Sequence, residues 1–159
     1  MEFKARLARD EDVPKLVKII HEEYGDDIEF MKNRLSYSIK NNFVCIVEDL
    51  SNGDIAGRLI FQAKENPFLG VGELEAVTVS DKYQEKGVGT KLLEESIKQS
   101  VNYFERYNTK IRKLYLMTRS NNEVAIKFYE KFGFKRQNTI GKIFVDNEPE
   151  ELVMLKSFD

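Results

Sequence analysis

The segment Val77-Thr78-Val79-Ser80-Asp81-Lys82-Tyr83-Gln84-Glu85-Lys86-Gly87-Val88-Gly89-Thr90 constrains this chain more than any other. An alternating, valine-rich strand over Val71 to Val79 runs through a loop straight into a segment where Val88, Leu92, Leu93, Ile97, Val101 and Phe104 recur at helical spacing. Gly87 and Gly89 remove side chains where the chain turns. The backbone amides from Glu85 through Thr90 can therefore converge on one point at the positive end of the helix. Such a point suits an anion, and a pyrophosphate in particular.

Two familiar nucleotide-binding patterns do not fit the spacing. A Walker A loop needs Gly-Lys-Ser/Thr, whereas Gly89 is followed by Thr90 and Lys91. A dinucleotide fingerprint needs a third small residue where Leu92 stands.

Around this segment the periodicity sets the remaining elements. Glu2 to Arg6 reads as a short strand. Asp10, Glu11 and Asp12 then bring acidic charge to the start of a helix with apolar Val13, Leu16, Val17 and Ile20, ended by Gly25. A second short helix is expected over Phe30 to Ile39. Strands over Phe43 to Glu48 and Ile55 to Ala63 join across Ser51-Asn52-Gly53, a hairpin signal. Leu114 to Thr118 reads as a buried strand and Glu123 to Phe132 as a helix closed by Gly133. Ile140 to Val145 and Leu152 to Lys156 read as a closing strand pair. The expected fold is an α/β sandwich: a twisted, mixed but largely antiparallel sheet with helices on both faces.

No linker, repeat or low-complexity tract divides the 159 residues, so a single domain over 1–159 is expected. With 25 Lys and Arg against 27 Asp and Glu, the net charge of −2 argues against bulk binding to nucleic acid, despite the local Lys110, Arg112 and Lys113 cluster. The longest purely apolar run, Phe43 to Val47, is far short of a membrane span, and the N-terminus lacks a secretory signal. A cytoplasmic protein that binds neither nucleic acid nor membrane is expected. The lone Cys45 fits a reducing compartment.

Gln84-x-x-Gly87-x-Gly89 after an alternating strand resembles the acyl-CoA pyrophosphate loop of the GNAT N-acetyltransferase family, whose pattern is Arg/Gln-x-x-Gly-x-Gly/Ala. Downstream, Asn122-x-x-Ala125-x-x-Phe128-Tyr129-Glu130-Lys131-x-Gly133-Phe134 resembles the family's later motif. The two motifs occur in the family's order, and the opening strand and helices and the closing strands extend the likeness along the chain. Glu85 departs from it, standing where the family often has Gly, and its carboxylate must point away from the phosphates.

The resemblance implies acetyl-CoA as acyl donor, no metal, and a primary amine as acceptor. The loop from Gln84 through Glu85, Lys86, Gly87, Val88, Gly89 and Thr90 would hold the pyrophosphate. Val77, Thr78 and Val79 would offer backbone groups to the pantetheine arm, as an unpaired strand edge does to an extended ligand. Asn122 would contact the arm and can also cap the helix that follows it. Tyr129 would donate a proton to the departing CoA thiolate. A carboxylate on the central strand would deprotonate the amine, with Glu75 the first choice and Glu73 behind it. Period-two alternation puts Glu73, Glu75, Val77 and Val79 on one face.

Acidic residues at Glu22, Glu23, Asp26, Asp27 and Glu29 lie near the junction of the first two helices, which borders the acceptor pocket in the resembled family. With Glu73 and Glu75 they can form a negative mouth for a cationic amine, or simply a solvated face. His21 reads as a solvated helix position and Cys45 as a small core residue. Family members are frequently dimers, so a homodimer is among the expectations. A non-catalytic acyl-CoA sensor on the same fold is the alternative function.

Overall fold

The helices form where apolar residues recur every three or four positions, and the strands where they alternate or run together. In the computed structural model, which describes every residue of the chain except 143–145 and 147, the order is β1 (Phe3–Leu7), α1 (Val13–Tyr24), α2 (Ile28–Asn41), β2 (Phe43–Asp49), β3 (Asp54–Ala63), β4 (Val71–Val79), α3 (Val88–Glu105), β5 (Lys113–Arg119), α4 (Glu123–Glu130), β6 (Lys135–Ile140) and β7 (Glu151–Ser157). Short 3-10 turns lie at Asp10–Asp12, Pro67–Leu69 and Asp81–Tyr83. The chain groups into two compact units, residues 1–62 with 76–103, and residues 63–75 with 104–159.

In the first unit, β1 pairs antiparallel with β2 and β2 with β3. Val13, Leu16, Val17 and Ile20 of α1 are all buried, in one cluster with Met31 and Leu35 of α2 and Val44, Ile46, Ile55 and Ile60 of β2 and β3. Gly25 ends α1 in the left-handed region, at φ 70°, where a residue without Cβ is favoured. Helix α2 begins at Ile28, earlier than the apolar pattern suggests, because the Asp27 carboxylate accepts the Phe30 amide at 2.7 Å and caps it. The Arg6 guanidinium forks onto both oxygens of Asp12 at 2.8 and 2.9 Å, fixing β1 to the start of α1. That contact holds the Asp12 carboxyl below its usual range.

In the second unit, the first half of β4 pairs parallel with β5, β5 antiparallel with β7, and β7 antiparallel with β6. Among the described residues, four of the five strand pairs that lie within the units are antiparallel, matching the expected mixed, largely antiparallel class. The closing pair differs from expectation. The strand beside β7 is Lys135–Ile140; of the expected Ile140 to Val145 strand, Gly141 and Lys142 are not in a strand and Ile143 to Val145 lie outside the described residues. All six β6 side chains are exposed, so the strand carries no apolar alternation to read; its backbone pairs with β7, and Arg136 reaches Glu130 at 2.8 Å and Glu123 at 3.2 Å on α4.

Candidate acyl-CoA and proton-transfer sites

Strand β4 is the element on which both groups of candidate residues depend. Gly72 and Leu74 are buried while Glu73 and Glu75 are half-buried, so alternation holds over its first half. At Ala76 the backbone turns left-handed, with φ 52°. Such a residue inside a strand breaks the alternation, in the manner of a bulge. The single face expected from Glu73 through Val79 is therefore interrupted at Ala76.

Within the first unit, Val77, Thr78 and Val79 are half-buried, and the Ser80 amide that follows donates to the Ala56 carbonyl at 3.0 Å. Tyr83, 2% exposed, anchors the loop, donating its hydroxyl to Asp54 Oδ2 at 3.2 Å and accepting from Asn52 Nδ2 at 3.3 Å. The Lys82 ammonium reaches the same Asp54 oxygen at 2.5 Å and holds that carboxyl below its ordinary range. The Gln84 amide donates to Asp81 Oδ1 at 3.0 Å and to the Val79 carbonyl at 3.4 Å. Lys86 Nζ donates to the Lys82 carbonyl at 2.5 Å. Gln84 and Lys86, read from sequence as ligand-binding positions, thus brace the loop itself.

Glu85 and Gly87 both take left-handed backbone, at φ 58° and 79°. The first backbone bond of α3 runs from Lys91 N to the Gly87 carbonyl at 3.1 Å. Earlier amides at a helix start have no carbonyl of their own helix to meet, and the Val88, Gly89 and Thr90 amides stand at that positive end. A cavity of about 850 Å³ is bounded by α1, by the start of β3 and by Val77 through Lys82.

The left-handed Glu85 has a testable cost. A non-glycine residue there loses about 1–2 kcal/mol, of which glycine's extra unfolded-chain entropy of about 0.5–1 kcal/mol would take back part. Glu85→Gly is accordingly expected to leave thermal stability unchanged or to raise it by up to about 1.5 kcal/mol, read in a melting curve.

Gly57 on β3 escaped the sequence reading. A Cβ there would lie 3.0 Å from Val88 Cγ1 and 3.3 Å from the Thr78 carbonyl, so glycine lets α3 and the second half of β4 close onto β3. Its only sequence signal is a glycine inside a strand pattern.

Asp27 and Glu23 of the acidic cluster are committed to the fold, while the Glu22, Asp26 and Glu29 side chains are exposed. Asp27 caps α2, Glu22 lies 3.9 Å from Lys18, and His21 Nδ1 meets the Asp26 carbonyl at 2.8 Å. Glu23 accepts from Arg58 Nη2 at 2.7 Å and from the Ser80 hydroxyl at 3.2 Å, tying β3 to the residue after β4. Arg58 borders a smaller cavity of about 260 Å³ with apolar Ile20, Met31 and Ile60, and its Nη1 is buried without a hydrogen-bond partner among the described residues. Cys45 is fully buried, and burial pushes its thiol up to about 11, which removes it as a thiolate nucleophile.

Within the second unit, Glu73 stands opposite Tyr115 in the β4–β5 register, and the Tyr115 hydroxyl donates to Glu73 Oε2 at 3.0 Å. Burial raises the Glu73 carboxyl above its ordinary value despite that bond. The sequence reading did not single out Tyr115, since only strand pairing brings it to Glu73.

Asn122 caps α4, its side-chain oxygen accepting the Ala125 amide at 3.2 Å, as expected of a cap. Two turns on, Tyr129 is 8% exposed, with its ring centroid 5.5 Å from that of Phe128 and 6.2 Å from that of Phe134. Burial pushes its hydroxyl up to about 12, so it stays protonated throughout neutral pH. Among the described residues, no group of three or more His, Cys, Asp or Glu side chains is arranged to hold a metal ion, and no helix is long and apolar enough to cross a membrane.

A family model described as "Acetyltransferase (GNAT) family" matches residues 10–134. An N-alpha-acetyltransferase of Saccharolobus solfataricus is 31% identical over 160 residues, covering 96% of this chain and 92% of that protein. A spermine/spermidine N(1)-acetyltransferase of Bacillus subtilis is 28% identical over 125 residues, covering 69% of this chain and 78% of its own. Among solved structures, an acetyltransferase of the GNAT family from Streptococcus pneumoniae superposes with a TM-score of 0.80 over 99% of this chain and 100% of that one, at 21% identity. That likeness shows the fold.

Proposed function

The chain belongs to the acetyltransferase (GNAT) family, and from that membership we propose that it moves the acetyl group of acetyl-CoA to a primary amine by direct attack, with no acyl-enzyme. The observation that carries this reading is the β4–loop–α3 segment. Left-handed Glu85 and Gly87 lead into a helix start whose Val88, Gly89 and Thr90 amides suit the CoA pyrophosphate. Val77, Thr78 and Val79 offer backbone groups to the pantetheine amides, and a contact of Asn122, the α4 cap, to the arm is taken from the family motif.

The acceptor reaches the enzyme as an ammonium and must lose a proton before its nitrogen can attack. A β4 carboxylate takes that proton. Glu73, whose carboxyl burial holds above its ordinary value, is better matched to this task than sequence position alone suggested, and it stands ahead of Glu75. The neutral amine adds to the thioester carbonyl, the tetrahedral adduct expels the CoA thiolate, and the nitrogen passes its second proton to solvent water.

Tyr129 acts at the departing sulfur. A phenol near 12 is a weaker acid than a thiol near ~8.5, so its contribution is a hydrogen bond to the developing thiolate rather than complete proton transfer.

A panel of α-amino compounds, polyamines and simple amines, assayed by appearance of free CoA thiol, tests the reading. The names of the relatives put peptide N-termini and spermidine first in that panel. The expected outcome is acetyl-CoA-dependent thiol release with at least one of them. Tight acetyl-CoA binding with no release from any amine would leave an acyl-CoA sensor instead.

A further inference from the structure

A carboxylate that accepts a proton from a substrate must hold still and keep one oxygen free. Glu73 has half of this arrangement built into the sheet. In the parallel β4–β5 pair it faces Tyr115 directly, and the phenol donates to Oε2 at 3.0 Å, leaving Oε1 outside that bond. Both side chains are half-buried, on the strand faces opposite the fully buried Leu74, Leu114 and Leu116. Across β5, Tyr115 is in register with Leu155 of β7, also half-buried.

We propose that Tyr115 is a positioning residue for acetyl transfer, holding Glu73 Oε2 so that Oε1 is presented to the ammonium of the acceptor. The inference rests on the reading of a β4 carboxylate as the proton acceptor. The step is a simple transfer: one proton passes from the ammonium nitrogen to Oε1, giving a neutral amine and a neutral Glu73 carboxyl. Tyr115 keeps its own proton throughout, because burial and the adjacent Glu73 charge push its ionisation well above the ordinary tyrosine value.

Three groups act on the Glu73 charge, and their signs differ. The Tyr115 hydrogen bond and the Lys64 ammonium favour the ionised form, while Glu75, two residues along the same strand, opposes it together with burial. Removing Tyr115's hydroxyl and removing Glu75's charge must therefore move Glu73 in opposite directions. A structural packing role for Tyr115 has no such consequence.

The test uses the full-length protein in two arms. Carbon-detected NMR of the glutamate carboxyl groups follows Glu73 as pH is raised, in wild type, Tyr115→Phe and Glu75→Gln. Tyr115→Phe should shift the Glu73 midpoint up by about one pH unit, the size expected from losing a hydrogen bond to a charged oxygen, and Glu75→Gln should shift it down. In the second arm, the lower break in the pH dependence of kcat/KM should follow the same two directions, with acetyl-CoA KM unchanged in Tyr115→Phe. An unmoved Glu73 midpoint in Tyr115→Phe would overturn the proposal, as would shifts of the same sign in both variants. Wild-type turnover by Glu73→Gln would overturn it by removing the proton-accepting role beneath it, while leaving acetyl transfer intact. Failure of every amine to release CoA would strike the proposed function itself, and the positioning role with it.

Discussion

Gly89→Glu is expected to abolish acetyl-CoA binding while leaving the unliganded fold as stable as before. The two effects separate because the helix start and the ligand respond to the new carboxylate with opposite signs. For α3, an acidic side chain in the first turn interacts favourably with the helix dipole by about 0.3–1 kcal/mol, and Glu is a better helix former than Gly. For the ligand, a carboxylate about 4 Å from a phosphate charge costs about 4 kcal/mol at a near-surface dielectric, roughly a thousandfold in affinity. Wild type at a hundredfold excess of acetyl-CoA over Kd should gain about 2.7 kcal/mol of stability. The variant should show no ligand-induced rise in melting temperature and no heat in a calorimetric titration. Wild-type affinity in Gly89→Glu would remove the pyrophosphate from this loop and require a different anion site.

The second large effect concerns Tyr129. Tyr129→Phe keeps the ring against Phe128 and Phe134 but deletes the hydroxyl, so turnover should fall about 10²-fold or more, within the range for a positioned donor. Acetyl-CoA affinity should not change, and stability should stay within about 1 kcal/mol of wild type because the buried apolar surface is retained. With the hydroxyl pushed up to about 12, the wild-type profile should show no loss of rate from Tyr129 ionisation below about pH 10. Steady-state kcat and KM from pH 6 to 10 for both proteins check each point. Equal turnover would reduce Tyr129 to a packing residue.

What was legible in the sequence had a local cause. The inward face of α1 is set by the spacing of Val13, Leu16, Val17 and Ile20, and all four are buried. The stop at Gly25, the turn at Gly53 and the loop at Gly87 each rest on a left-handed residue without a Cβ, which a short window reveals. Asn122 as a cap is likewise a matter of three residues. Strand β6 was not legible, because Lys135 to Thr139 are polar side chains in solvent and the pairing with β7 is made by backbone groups that every sequence possesses.

The sequence alone determined the elements other than β6, the glycine-bearing turn before α3 and the helix that Asn122 caps and that carries Tyr129, since each depends on residues close along the chain. Tertiary structure alone decided that Glu73 is paired with Tyr115. Glu73 and Tyr115 are 42 positions apart, and their hydrogen bond exists because β4 and β5 pair in one particular register. It also decided that Ala76, a residue that disfavours left-handed backbone, adopts it in mid-strand and ends the alternation from which Glu73 and Val79 were assigned to one face. A proton affinity is set by burial and by charges brought in from other strands, and no spacing rule along one strand can supply them.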